Sequence, residues 1–153
     1  MGSSPTGPTK YNREMANHHT KDKGDLAVLK VQADLCEQGL IVCTPQTEHA
    51  LFDIVAYCGS RFWKVQVKFC SAPDGVLIGT CQRTWADKHG NHIQKYADGD
   101  FDVLALYCPE TDECYYIPWE KCNKRCISLR VTPPLNGAKK YLRAGDFRKF
   151  MPL

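Results

Sequence analysis

Two strand-like runs joined by a tight turn constrain this chain more than anything else in it. Phe52-Asp-Ile-Val-Ala-Tyr57 and Phe62-Trp-Lys-Val-Gln-Val-Lys-Phe69 are rich in β-branched and aromatic residues, and Gly59-Ser60 between them has the composition of a hairpin turn. Side chains alternate along a strand. Lys64, Gln66 and Lys68 therefore share one face, while Trp63, Val65, Val67 and Phe69 take the other, where they can pack in a core. Burying an unpaired polar group costs ~1–3 kcal/mol on mutational scales. The polar face is therefore either solvated or has a chemical use.

Asp53 supplies a candidate use. It lies on the neighbouring strand, across the short turn, and can reach the same region as Gln66 and Lys68. A carboxylate, an amide oxygen and an ammonium make a site for a metal and a phosphate. A hard cation such as Mg²⁺, with Mn²⁺ as its substitute, takes oxygen ligands, polarises a phosphate and acidifies water. A positive side chain stabilises the charge that builds in the transition state. Asp53 is the expected anchoring ligand, joined by the Gln66 side-chain oxygen and the Val67 carbonyl. Lys68 is expected to orient the attacking water and neutralise developing charge.

The rest of the chain fits one domain. Its 153 residues, 43% hydrophobic and 24% charged, are enough for a single globular core. No apolar run approaches the ~18 residues of a membrane span, and the polar N-terminus carries no secretory signal. The pattern predicts a helix over residues 23–38, with Asp22 as N-cap, Gly39 as its stop, and an apolar face of Leu26, Leu29, Ala33 and Cys36. Strands are expected at residues 40–43, 61–69, 76–80, 101–108, 114–118 and 126–131. Residues 81–99 are polar without a clear period. This order predicts an α/β (α+β) domain on a mixed central β-sheet flanked by helices. Residues 1–20 read as a flexible lead, 21–131 as the core with a polar insertion near 81–99, and 132–153 as a basic extension.

The charge is uneven. Residues 121–153 carry nine Lys or Arg against the single acid Asp146, a balance of +8, whereas residues 1–120 carry −5. A basic region interleaved with Tyr141, Phe147 and Phe150 suits contact with a phosphate backbone; a solvated tail is the plainer reading. Nine cysteines, an odd number, argue against a closed disulfide framework; Cys36, Cys58 and Cys70 fall among apolar residues and read as buried thiols in a reducing compartment. Cys108, Cys114, Cys122 and Cys126 form the one cluster with any claim to zinc, but their spacing is not that of a tight zinc knuckle.

The residues then take on a family likeness. Lys23-Gly-Asp-Leu-Ala-Val-Leu-Lys, Cys36-Glu-Gln-Gly-Leu-Ile-Val, Phe52-Asp-Ile-Val and Val65-Gln-Val-Lys, in that order, resemble the PD-(D/E)XK endonucleases of bacterial group I introns, in which Gln commonly replaces the second acid. Phe101-Asp-Val-Leu-Ala-Leu-Tyr-Cys, Tyr115-Tyr-Ile-Pro, Leu129-Arg-Val and Pro134-Leu-Asn-Gly extend the resemblance over residues 21–150. It implies a restriction-endonuclease-like core and a cytoplasmic enzyme of bacterial or phage context. It also implies a homo-oligomer, dimer or tetramer, that embraces a long pseudo-palindromic site in double-stranded DNA. The chain departs from the family at Val28, where the first helix usually carries a Glu aimed at the metal site; Asp25 and Glu48 are the candidates to replace it.

For DNA contact, Arg83, Lys88, His92, Gln94 and Lys95 in the polar insertion are candidates for a reading hairpin. Arg130, Lys139, Lys140 and Arg143 are candidates for the phosphate backbone. Solvated surface positions are the plainer alternative, above all for His89 and His92. Tyr96, Trp63 and Trp119 read as packing residues. Three functional readings compete with sequence-specific intron homing: a Holliday-junction resolvase or restriction-type nuclease on the same core, a DNA-binding module without catalysis, and a zinc-stabilised interaction protein.

Overall fold

A computed structural model describes residues 19–123 and 125–150. The proposed flexible lead lies outside them up to residue 18; residues 19 and 20 already belong to the first helix. In order, the described elements are α1 (His19–Glu37), β1 (Ile41–Cys43), β2 (Ile54–Cys58), β3 (Arg61–Phe69), β4 (Val76–Thr80), β5 (Gln82–Asp87), β6 (Gly90–Lys95), β7 (Val103–Cys108), β8 (Glu113–Pro118) and β9 (Cys126–Arg130). Short 3-10 helices span Trp119–Lys121 and Ala144–Phe147.

The central sheet has the order β1-β2-β3-β7-β8. Its neighbours pair antiparallel except β3 and β7, which run parallel, so the sheet is mixed as expected. β2 and β3 form a hairpin whose two turn residues, Gly59 (φ 61°) and Ser60 (φ 62°), both lie in the left-handed region. That is the primed turn whose twist matches the strands it joins. β7 is buried along its whole length, which is why Val-Leu-Ala-Leu-Tyr-Cys reads as an unbroken apolar run rather than an alternating one.

Each face of the sheet has its own core. On one, Ala27, Val31 and Leu35 of α1 pack on Ile54, Ala56, Val65, Val67, Val103 and Ala105. On the other, Leu104, Leu106, Tyr115 and Ile117 meet Leu77, Ile127 and Leu129 of the β4–β9 pair. That approach is close: a Cβ on Gly79 would stand 2.9 Å from Leu106 Cδ2. Trp63, Val65 and Val67 thus face the helix, as strand alternation requires, and Gln66 and Lys68 face the opposite side.

Several expectations are corrected. α1 begins four residues earlier than the pattern suggests, so Asp22 sits within its first turn and is not its N-cap. The stripe Leu26, Leu29, Ala33 and Cys36 is exposed; the face that packs is the one centred on Val31. Residues 82–95 do form the hairpin read from Arg83, Lys88, Gln94 and Lys95, and this β5–β6 pair joins no other described strand. It has no amphipathic period because neither of its faces is deeply buried. In the basic C-terminal region Phe147 and Phe150 are core residues, not aromatics laid open between cations. The Phe150 N–H donates to Gln38 Oε1 at 2.8 Å and fixes the region to the end of α1. No described helix is long and apolar enough to cross a membrane.

Candidate active site

Asp53 stands at the mouth of β2, one residue before the strand, and its N–H still bonds the Val65 carbonyl at 2.9 Å. The ladder therefore carries the Asp53 side chain to the level of Gln66 and Val67. Gln66 Nε2 donates to Asp53 Oδ2 at 2.6 Å, and the Val67 N–H donates to the same oxygen at 2.8 Å. Gln66 Nε2 also lies 3.3 Å from the Val67 carbonyl oxygen. Gln66 is a buried polar side chain in an otherwise apolar core, and no buried side-chain polar atom among the described residues lacks a hydrogen-bond partner.

Lys68 lies two residues on, on the same face. Its Nζ donates to the Gln82 carbonyl at 3.1 Å and sits 5.6 Å from the centre of the Tyr96 ring. Gln82 opens β5 and Tyr96 follows β6, so the base of the hairpin holds the lysine head. Burial raises the Asp53 pKa above its ordinary value, although the Val67 N–H and the Lys68 ammonium pull it back. Burial likewise lowers the Lys68 pKa, against the attraction of Asp53. The two groups share a poorly solvated place in which each favours the charge of the other.

A cavity of about 220 Å³ opens beside Asp53 and is lined by Val28, Glu48, Ala50 and Phe52 among others. Val28 and Glu48 thus border the same space as Asp53. Glu48 is exposed on its loop, and Asp25 is exposed on α1. The donor set suits a hard cation sparingly: one carboxylate, the Val67 carbonyl and the Gln66 amide. As placed, the amide nitrogen of Gln66 faces the other two donors. A cation there needs the amide turned so that Oε1 points inward, a rotation that leaves the packing volume unchanged. No group of three or more His, Cys, Asp or Glu among the described residues is arranged for a metal. Cys108 and Cys114 lie in the cores on opposite faces of the sheet, so they do not share a zinc site.

The proposed DNA-contacting residues fall into two groups. Arg83, Lys88, His92, Gln94 and Lys95 all lie on β5–β6. Arg83 Nε and Nη2 both donate to Gln94 Oε1, at 2.9 and 2.6 Å. The Arg83 guanidinium lies 4.9 Å from the Trp85 ring, which stacks on His92 at 5.1 Å, and His92 Nε2 meets Asp87 Oδ1 at 2.9 Å. One face of the hairpin is therefore a continuous row of planar, hydrogen-bonding groups. Trp85 and Asp87 join this row without a role assigned from the sequence, and the alternation Arg83-x-Trp85-x-Asp87 is the signal that marks them. The second group is C-terminal. Arg130 and Arg143 are bridge partners and line a pocket of about 430 Å³ with Tyr141 and Asp146, and Lys139 and Lys140 are exposed nearby in sequence.

Comparison with known proteins adds two findings. Residues 18–150 match a family described as PD-(D/E)XK endonuclease. Among solved structures, the chain is similar to a bacterial homing endonuclease, I-Ssp6803I. The identity is 24%, the TM-score is 0.68, and the match covers 84% of this chain and 88% of that one. At that identity the likeness is one of fold. No curated protein matches the chain.

Proposed function

The chain belongs to the PD-(D/E)XK endonuclease family, and from that premise we propose that it hydrolyses phosphodiester bonds in double-stranded DNA with the help of a divalent cation. The observation that carries this reading is the convergence of Asp53, Gln66 and Lys68 at one end of the β2–β3 hairpin. Asp53, the Val67 carbonyl and a turned Gln66 amide would hold Mg²⁺ or Mn²⁺. The cation would acidify water and polarise the phosphate. Lys68 reaches the same place from the neighbouring position on the strand face. Its ammonium, released from the Gln82 carbonyl, would orient the attacking water and meet the charge that builds on the phosphate oxygens.

The two basic groups give the substrate its size. A free-standing two-stranded ribbon fits the major groove, where Arg and Gln side chains read base edges. Arg130, Lys139, Lys140 and Arg143 offer cations for the backbone. Two cuts in one duplex need two active sites, so the working form is a symmetric homo-oligomer on a near-symmetric site. The fold of the homing endonuclease it resembles supports sequence-specific double-strand cutting of the intron-homing kind, in the cytoplasm of a bacterium or phage host. Incubation with Mg²⁺ and linear, branched and four-way duplexes tests this. Cutting of linear duplex at discrete sites is the expected result, and cutting only at four-way junctions would replace homing with junction resolution.

A specific observation favours a second reading. Val28, an apolar side chain, borders the Asp53 cavity where the family resemblance leads to a Glu. A protein that binds DNA through its hairpin and C-terminal cations without cutting would carry the same surface. Tight duplex binding with no cleavage in either Mg²⁺ or Mn²⁺ would establish it.

A further inference from the structure

α1 is apolar on two opposite sides, and the fold uses only one. Ala27, Val31 and Leu35 are fully buried against the sheet. On the other side Leu26 (42% exposed), Leu29 (63% exposed), Ala33 and Cys36 follow one another at intervals of three, four and three residues, and all four are open to solvent. This is the spacing of a helix–helix seam.

We propose that this stripe is the surface on which a second copy of the chain docks, helix against helix and antiparallel. The residues themselves select that occupant. In an antiparallel pair related by a two-fold axis near Val31, Leu26 of one copy faces Cys36 of the other, and Leu29 faces Ala33. Each large side chain then meets a small one, which fills the seam evenly. A parallel pair sets Leu on Leu and Ala on Ala and leaves a gap at Ala33. The charges agree: the antiparallel pair brings Lys23 of one copy alongside Glu37 of the other, at both ends of the seam. Lys30, which approaches its own twin near the axis, is already neutralised by Asp112 at 2.6 Å. The two helix dipoles also oppose each other.

This names the surface of the homo-oligomer proposed above and rests on that part of the reading. Whether the chain cuts DNA is a separate question that molar mass does not touch. The test is light scattering on the full chain at micromolar concentration, with far-UV circular dichroism to verify folding. Wild type is expected to be oligomeric. Leu29→Glu, or Ala33→Arg should the first variant fold poorly, is expected to halve the mass and weaken association by about a hundredfold or more. Leu26→Cys is expected to form a disulfide-linked dimer through Cys36 under copper–phenanthroline and air, the oxidant that takes up the two thiol electrons. Leu26→Cys/Cys36→Ser is expected not to. A monomeric wild type, an unchanged mass in both stripe variants, or a wild-type dimer crosslinked from Cys36 to Cys36 would overturn the proposal. So would dissociation caused by deleting residues 1–18 alone, since that segment would then be what covers the stripe.

Discussion

The Gln66 amide donates to Asp53 across 2.6 Å, and the Val67 N–H shares the same carboxylate oxygen. The buried end of the β2–β3 hairpin therefore holds a single acid, tied by two neutral donors and faced by one lysine. Its charge is poorly solvated, and burial raises the Asp53 pKa. The consequences for stability and for activity have opposite signs.

For stability, a raised carboxyl pKa means the folded chain binds this proton more readily than the unfolded one. The contribution of Asp53 is fully present below the ordinary carboxylate value of 3.8 and is lost as pH rises through the folded pKa. Asp53→Asn keeps an acceptor for the Val67 N–H and removes the buried charge. The variant is expected to melt at the same temperature as wild type or higher at pH 7, with the difference closing towards pH 4. Thermal melts across that range check it. The same variant is expected to lose cleavage by about a hundredfold or more.

Lys68 gives the complementary pH signature. Burial lowers its pKa, so the ammonium is lost at a pH below the ordinary lysine value of 10.5. The kcat/KM profile of cleavage, which reports groups in the free enzyme, is expected to fall on an alkaline limb below that value. Lys68→Arg is expected to move the limb upward, because a guanidinium does not deprotonate in this range. Lys68→Met is expected to reduce kcat by about 100- to 1000-fold. An unchanged limb in the Arg variant would show that another group sets it.

Val28 is the position at which the site gains most from one change. Val28→Glu adds a second carboxylate to the cavity that Asp53 borders. It is expected to tighten Mg²⁺ or Mn²⁺ binding by roughly tenfold, about 1.4 kcal/mol, and to raise cleavage in step. Without metal, the added acid raises the Asp53 pKa further. Isothermal titration with each cation and nicking of supercoiled DNA measure the two effects.

The two basic groups should separate by salt and sequence. Arg83→Ala on the hairpin is expected to cost ~1–3 kcal/mol of binding and to relax preference at one position of the target. Lys139→Ala and Lys140→Ala are expected to weaken binding to all duplexes alike, each reducing the slope of log affinity against log salt by about one. Fluorescence anisotropy over a salt series distinguishes them.

Much of this arrangement is legible in the chain. β3 runs over the residues its alternation predicts, and Gly59-Ser60 turns where a hairpin turn is read. Asp53, Gln66 and Lys68 meet because a two-residue turn fixes the register between their strands. The failures have physical causes. α1 carries two apolar stripes, and periodicity alone cannot say which one the sheet covers. The β5–β6 hairpin is read from its polar residues, but with no apolar face it carries no amphipathic period to mark its strands. Phe147 and Phe150 lie among cations in sequence, yet the chain folds back and buries them. The hydrogen bond from Lys68 to the Gln82 carbonyl joins a catalytic candidate to backbone, which side-chain patterns do not encode.

The Asp53–Gln66–Lys68 site is proposed to cut DNA. Its most direct test is digestion of a randomised duplex library with Mg²⁺ or Mn²⁺, followed by sequencing of the new ends. The wild-type chain, or Val28→Glu if wild type is slow, is expected to cut both strands at a long near-symmetric site. The cuts should be absent with a chelator and in Asp53→Asn. Cuts that persist in Asp53→Asn, or no metal-dependent cuts by either the wild-type or the Val28→Glu chain, would contradict it.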